Sequence, residues 1–256
     1  MDHNRALWRD WRLAWVSGRA SSLFPAEIAL IAMLRAERND WRVLDIGVGS
    51  GRTSPHFAAL GPTYIGVDYS PQMVRVAKKR FPQFDFRNMD ATDLSAFADG
   101  QFDLVWFSYN GMDYGGPAER LRILAEVHRV IAPGGAFCFS AHNRDYVDLE
   151  RITAVQRPAL TPNPLRMAVR GLRYVQAATN SRQLKPLEER NAEYFILNDN
   201  ASQHRFITYY TDVPQQVAQL ERAGFTGVRA FGKDGEELDP ASSYTGDYMV
   251  HFLARR

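Results

Sequence analysis

The chain has 256 residues, 45% hydrophobic and 23% charged, with a formal net charge of +2. That length suits one large α/β domain or one domain with a sizeable insertion, and it buries a core without covalent staples. A single cysteine, Cys138, excludes a disulfide framework and makes a reducing, cytoplasmic setting the expectation. The near-neutral charge gives no argument for a nucleic-acid partner, and no apolar run reaches the ~18 residues of a membrane helix, so no membrane partner is expected. The first sixteen residues, MDHNRALWRDWRLAWV, lack the apolar stretch of a secretory signal.

Residues 2–37 read as two helices and form an expected N-terminal helical lid, 1–40. Trp8, Leu13, Trp15 and Val16 are apolar anchors of the first helix, with Trp11 at the edge of the stripe. Pro25 opens the second helix at a favourable early position. From Trp41 the period changes. Strand-like runs at Val43–Ile46, Tyr64–Val67, Phe84–Phe86, Leu104–Phe107 and Ala136–Phe139 alternate with helical patterns over 52–60, 71–80 and 117–131. Alternation of this kind predicts parallel βαβ units in a doubly wound, mostly parallel Rossmann-like sheet with helices on both faces. The core is expected over 41–141. Residues 142–205 interrupt the alternation with a Pro/Arg-rich stretch, a helix near 165–178, and a hairpin of Glu193–Leu197 and Arg205–Tyr210 around Asn198-Asp199-Asn200. They read as an inserted cap and substrate region, or as a peripheral decoration. The core resumes over 206–256 with helix Pro214–Ala223 and strands Gly227–Phe231 and Tyr248–Ala254.

The principal motif is Val43-Leu44-Asp45-Ile46-Gly47-Val48-Gly49-Ser50-Gly51-Arg52. A strand runs into alternating glycines and then a helix, a loop that lets backbone approach a ligand where a Cβ would collide. The dinucleotide fingerprint G-x-G-x-x-G would need glycine at 52, where arginine stands, and this weighs against a nicotinamide-dependent oxidoreductase. Asp45 is an acid at a strand end and can serve a cationic ligand. Asp68, 21 residues after Gly47 and ending the next strand, suits a carboxylate accepting ribose hydroxyls; it also reads as part of a helix cap with Ser70. Asp90-Ala91, the strand Phe102-Asp103-Leu104-Val105-Trp106-Phe107-Ser108-Tyr109-Asn110, and the turn Pro133-Gly134-Gly135 follow in order.

This array resembles the class I S-adenosylmethionine-dependent methyltransferases of the small-molecule type, over roughly residues 41–140 and the elements after 210. The segments Asn110-Gly111-Met112-Asp113-Tyr114 and Phe139-Ser140-Ala141-His142-Asn143 also have counterparts in similar chains. The resemblance implies S-adenosylmethionine as cofactor. Gly47, Gly49 and Gly51 would line its methionine and ribose, and Asp45 would lie near its ammonium, directly or through water. Asp68 would accept the ribose hydroxyls, with Tyr69 and Met73 against the adenine. Asp90 would hold the adenine amino group while the Ala91 backbone reads the ring edge, and the Phe107 carbonyl would accept from the ammonium. Val48 stands where many members carry a small residue or cysteine.

An already activated methyl group asks the protein mainly to align a nucleophile in line and exclude water. A hydroxyl acceptor also needs a base, usually histidine. His142, past the strand Ala136–Ser140, is the first candidate for that base, against a structural histidine organising the Asn143 turn. His204, at the start of the strand leading to Tyr209-Tyr210, is the second, against a surface hairpin position. Asn110, Asp113 and Tyr114 are candidate substrate contacts, with helix capping before Pro117 as the other reading of Asp113 and Tyr114. His3, His56, His128 and His251 read as surface or helix residues. No pair has metal-ligand spacing, so no metal is expected. Trp8, Trp11 and Trp15 either fold over the cofactor or pack a helix, and Arg19 could reach the cofactor carboxylate.

Between Arg151 and Leu187 stand seven basic residues and no acid. This attracts an anionic small-molecule substrate or forms a solvated face. The expected function is methyl transfer to an oxygen or nitrogen of a small molecule. An RNA methyltransferase using the basic insertion and a non-catalytic cofactor-binding protein remain as alternatives, nucleic acid being disfavoured by the lack of aromatic–basic interleaving.

Overall fold

The computed structural model describes residues 3, 4, 7 and 22–256. The anchors Trp8, Trp11, Leu13, Trp15 and Val16, and Arg19, lie outside the described residues. Helix α1 (Pro25–Glu37) precedes strand β1 (Arg42–Ile46), α2 (Ser54–Ala58), β2 (Thr63–Asp68), α3 (Pro71–Arg80), β3 (Asp85–Asn88) and β4 (Phe102–Phe107). A 3-10 turn at Gly111–Tyr114 leads to α4 (Pro117–Val130) and the long β5 (Ile131–Asn143). Next come α5 (Leu149–Thr153), α6 (Pro164–Leu184), β6 (Glu189–Arg190) and β7 (Phe195–Asn198). They are followed by β8 (Ile207–Thr211), α7 (Val213–Arg222), β9 (Thr226–Phe231), β10 (Glu237–Leu238) and β11 (Met249–Arg255).

The main path of the sheet runs β10-β9-β11-β5-β4-β1-β2-β3. From β5 to β3 the neighbours are parallel, and β11 is antiparallel to both β5 and β9. This is the doubly wound, mostly parallel sheet expected from the alternation of elements. Central strands are buried on both faces, as a sheet covered by helices on each side requires. Successive residues therefore enter different cores. Val43, Leu104 and Trp106 pack with Leu30 and Leu34 of α1 on one side. Leu44, Val105 and Phe107 pack with Leu124 and Val127 of α4 on the other.

Several elements differ from the sequence expectation. The strand expected at Ala136–Phe139 continues to Asn143, because β11 pairs along it from Ala136 to His142 and β8 joins it at His142 and Asn143. His142 thus lies within a strand, not after one. The expected hairpin forms from β7 and β8, but β8 also pairs β5, so the hairpin belongs to the main sheet. Its connection is longer than Asn198-Asp199-Asn200: Ser202, Gln203 and His204 all have positive φ. Helix α6 outruns its expected end at 178 and closes only at Leu184, whose side chain is buried. The Asn163 side chain starts it by accepting from the Arg166 N–H.

The far N-terminus is tied to the same region. The Asn4 side chain accepts from the Ile207 N–H at 3.1 Å and donates to the Ile207 and Tyr114 carbonyls at 2.6 and 2.8 Å.

Candidate active site

The carboxyl ends of β1, β2 and β4 surround a cavity of about 220 Å³, lined by the Gly47–Gly49 loop, Asp68, Tyr69, Met73, Met89, Ala91, Phe107–Tyr109, Gly111 and Tyr114, among others. That is many times the ~30 Å³ share of one water, so the space suits an organic ligand. It is found where open α/β sheets bind ligands.

Local backbone chemistry builds the rim. Gly47 donates to the Val67 carbonyl at 2.8 Å, drawing the loop onto β2. Its φ is +66°, and a Cβ there would stand 2.6 Å from the Phe107 ring. Gly49, at φ +55°, would meet nothing within 4 Å. Both conformations favour glycine, for different reasons: close packing at 47, backbone handedness alone at 49. The Gly49 N–H then donates to Asp68 Oδ2 at 2.9 Å and the Ser70 N–H to Oδ1 at 2.8 Å. Asp68 is both cavity wall and anchor of the turn into α3, while Ser70 caps that helix. Burial pushes its carboxyl up to about 6, against the pull of the two N–H donors.

Asp45 is fully buried at the end of β1 and does not line the cavity. Its Oδ2 lies 3.2 Å from the Thr53 hydroxyl, which donates to it, and 2.9 Å from the Tyr64 hydroxyl. Oδ1 has no partner. Burial pushes this carboxyl up to about 7, partly offset by Tyr64 and Thr53. An orphaned buried acceptor fits a donor supplied by a ligand, since such groups are otherwise costly. The cavity-lining Ser108 has an unpartnered Oγ as well.

These residues fit S-adenosylmethionine. Asp68 presents a carboxylate to the cavity, as a ribose diol needs. Tyr69, Met73, Met89 and Ala91 offer an apolar slot for a purine. Asp45 sits behind the loop with one buried oxygen unpartnered.

Several expected contacts are placed elsewhere. Gly51 supports the loop, its N–H donating to the Val48 carbonyl, but it does not line the cavity. Asp90 also stays off the lining: its Oδ1 accepts from the Thr92 N–H and hydroxyl, a local turn that folds the carboxylate back. Asn110 is 2% exposed and holds the tight turn after β4, where it and Tyr109 both have positive φ. Asp113 is fully buried beneath the cavity wall, so it is a partner of protein groups and not a substrate contact. Tyr114 alone of the three candidate substrate residues lines the cavity.

Asp113 instead holds His142. Its Oδ2 accepts from the His142 N–H and lies 2.8 Å from the ring Nδ1. Its other oxygen pairs with Arg120, a fully buried guanidinium that also donates to Gln216 and Gln219 and stacks on Tyr209. A carboxylate at Nδ1 fixes the tautomer with hydrogen there and leaves Nε2 as the basic nitrogen. The ring is surrounded by Tyr210, Tyr114 and Tyr248, with centroids 5.0, 6.3 and 6.5 Å away. Burial raises all three phenols, Tyr248 to about 12, so they stay neutral.

His204 is not brought to the cavity. It is 2% exposed, in the β7–β8 connection, with Nδ1 2.9 Å from Asn198 Oδ1. His251, expected at a surface or on a helix, is buried in β11 against Phe24, and burial lowers it to about 4. No lining residue comes from 142–205. Among the described residues no three His, Cys, Asp or Glu side chains gather as a metal site, and no helix is long and apolar enough to cross a membrane.

Sequence reasoning missed the Arg52–Glu27 pair. Arg52 lines the cavity and grips the fully buried Glu27 through two hydrogen bonds of 2.6 and 2.8 Å. Glu27 in turn accepts from the Phe24 N–H, and Phe24 stacks on Tyr109 at 5.7 Å. The pair ties α1 to the cavity rim. Its only signal was an arginine directly after the glycine loop and an acid in the first turn of a Pro-started helix.

Residues 43–135 match the model of a methyltransferase domain family. The chain is 40% identical over 94 residues to the demethylmenaquinone methyltransferase of Renibacterium salmoninarum, covering 37% of this chain and 38% of that one. It is 34% identical over 107 residues to a ubiquinone biosynthesis O-methyltransferase of Xanthomonas oryzae pv. oryzae, covering 40% and 44%. The match thus spans less than half the length of these curated relatives. Solved structures extend the likeness in fold to nearly the whole chain. A Clostridium acetobutylicum S-adenosylmethionine-dependent methyltransferase covers 93% of each chain at TM-score 0.59 and 12% identity. The Burkholderia thailandensis 1,6-didemethyltoxoflavin-N1-methyltransferase, solved with its substrate and S-adenosylhomocysteine, covers 98% of this chain and 84% of its own at TM-score 0.55 and 16% identity. The glycine loop, the acid ending β2 and the sheet order agree with these matches, and residues 43–135 form a methyltransferase domain of the class I S-adenosylmethionine-dependent type.

Proposed function

We propose that the whole protein transfers a methyl group from S-adenosylmethionine to an oxygen or nitrogen of a small molecule, with His142 as general base when the acceptor is a hydroxyl. The observation that carries the reading is the fixed orientation of His142 by Asp113 at the carboxyl end of β5, in ring contact with the cavity residue Tyr114. The relatives' names, two quinone-pathway enzymes and a toxoflavin N-methyltransferase, support a flat conjugated acceptor. The aromatic rims Tyr109 and Tyr114 suit such a molecule.

The cofactor, when bound, supplies the methyl group as an electrophile. The chain does the rest. Asp68 would accept from the ribose hydroxyls, and Asp45, behind the loop, would balance the ammonium. The apolar walls exclude water, and Tyr109 and Tyr114 orient the acceptor. Nε2 of His142 would take the hydroxyl proton as the methyl–oxygen bond replaces the methyl–sulfur bond, with S-adenosylhomocysteine as the leaving group, and Asp113 would stabilise the imidazolium that results. An unprotonated amine needs alignment but no base, so His142 matters less for it. The seven basic residues of 151–187, with no acid among them, support an anionic acceptor.

Titration of the protein with S-adenosylhomocysteine and with NADH is the first test, and binding of the former alone is expected. Transfer of labelled methyl to a panel of phenols, quinols and aromatic amines is the second. Tight NADH binding, or S-adenosylhomocysteine binding without transfer to any acceptor of these classes, removes the reading.

A further inference from the structure

Helix α6 has an apolar outer face for which the sheet and the cavity have no use. Leu165, Val169, Leu172 and Val175 are 78, 51, 70 and 59% exposed. At ~100° per residue they fall within an arc of about 120°. The opposite side, with Met167, Gly171, Tyr174 and Ala178, is partly covered by the protein. The stripe is therefore not the packing face of the helix. Isolated exposed leucines need no explanation, but a continuous stripe on one element does.

The charges around it narrow the occupant. Arg166, Arg170 and Arg173 fall along one flank of the stripe and Arg182 along the other. None of them forms an ion pair with an acid among the described residues; Arg170 donates only to the Ala159 carbonyl. Residues 151–187 contain no Asp or Glu. A second copy of the chain would bring the same uncompensated arginines to the contact and be repelled. A nucleic-acid backbone would satisfy the arginines but leave the leucines without a role. An anionic bilayer surface answers both, since apolar side chains enter the acyl boundary while guanidinium groups meet the headgroup phosphates.

We propose that α6 docks this chain peripherally on an anionic lipid surface, with Leu165, Val169, Leu172 and Val175 inserted and Arg166, Arg170 and Arg173 on the headgroups. The expectation of no membrane partner rested on the lack of a spanning segment. A helix lying in the interface does not span, and its arginines exclude that it does. The inference is independent of the acceptor and of the role of His142.

The test is co-sedimentation of the full chain with vesicles of phosphatidylcholine alone or mixed equally with phosphatidylglycerol, at low and high salt. Binding to the mixed vesicles only, weakening as salt rises, is expected. Arg166→Gln/Arg170→Gln/Arg173→Gln should weaken it on the order of a hundredfold at low salt. Leu165→Ser/Val169→Ser/Leu172→Ser should abolish it. Circular dichroism melting like that of the native chain shows that each variant is folded. No binding to mixed vesicles overturns the proposal. So does equal binding by the serine variant, or loss confined to variants at Trp8, Trp11 and Trp15. RNA retained by the native chain in place of vesicles assigns α6 to nucleic acid. A dimer in sedimentation equilibrium, abolished by the serine variant while vesicles are ignored, assigns the stripe to a second copy; either result overturns the lipid reading.

Discussion

The β1–β2–β4 wall of the cavity and the β5–β8 side beyond Tyr114 are built by different means. In the first, main-chain geometry does most of the work: two left-handed glycines, a loop pinned to Val67, and a carboxylate held by the Gly49 and Ser70 N–H groups. In the second, side chains from distant segments converge, with Asp113, His142, Arg120, Gln216 and Gln219 in one buried network. The first can keep its form while surrounding residues vary. The second depends on each partner being present, because buried charges without counter-charges are expensive.

The largest expected effect tests the side-chain half. With a hydroxyl acceptor, His142→Ala should lower turnover ~10²–10⁴-fold, with S-adenosylhomocysteine affinity unchanged and partial rescue by added imidazole. Turnover near the native value would reduce His142 to a structural residue. Next, Asp113→Ala leaves the fully buried Arg120 without its carboxylate. A loss of about 3–5 kcal/mol in urea unfolding is expected. A loss under about 1 kcal/mol would mean that the glutamines suffice and that the network is not interdependent.

The main-chain half should respond in affinity. Asp68→Ala should weaken S-adenosylhomocysteine binding tenfold to hundredfold by calorimetry, through loss of charge-assisted bonds of ~1.5–3 kcal/mol each. The pH dependence sharpens this. Asp68 is raised to about 6 and Asp45 to about 7 in the folded chain. Between ~4 and those values the folded state holds protons that the unfolded chain has released. Their stabilising contribution is therefore fully present at low pH and is lost as pH rises through about 6 and 7. Ligand binding, which needs ionised Asp68, runs the other way: affinity should fall about tenfold per pH unit below about 6. A flat profile from pH 5 to 8 would break the assignment. The smallest effect is that of Gly49→Ala. It should cost ~1–2 kcal/mol of stability for handedness alone, less than Gly47→Ala, whose Cβ would also strike Phe107.

How far each half could be read in advance follows from this difference. The glycine loop and Asp68 were legible because their spacing is dictated by a strand, a turn and a helix in immediate succession. The alternation of β1 to β5 was legible for the same reason. The ends of β5 and α6 were not, since they are fixed by partners: β11 and β8 for one, the buried Leu184 for the other. Asp113, expected to touch substrate or to cap a helix, instead holds His142; nothing local announces a contact to a histidine 29 residues away. Asp90 shows the converse. A local hydrogen bond to Thr92, available in any such turn, took the carboxylate from the cavity.

The Asn4 bridge has a consequence for how the chain assembles. It joins positions 203 residues apart, and the N–H and carbonyl of Ile207 that it engages are in place only after β8 has paired. Loop closure over such a span comes late, after the shorter-range βαβ contacts have formed. The contact of Asn4 with Ile207 is then among the last to form and the first to release. Deuterium uptake at the Ile207 amide would follow that release apart from global unfolding, giving a clock for opening beside Tyr114 and the cavity.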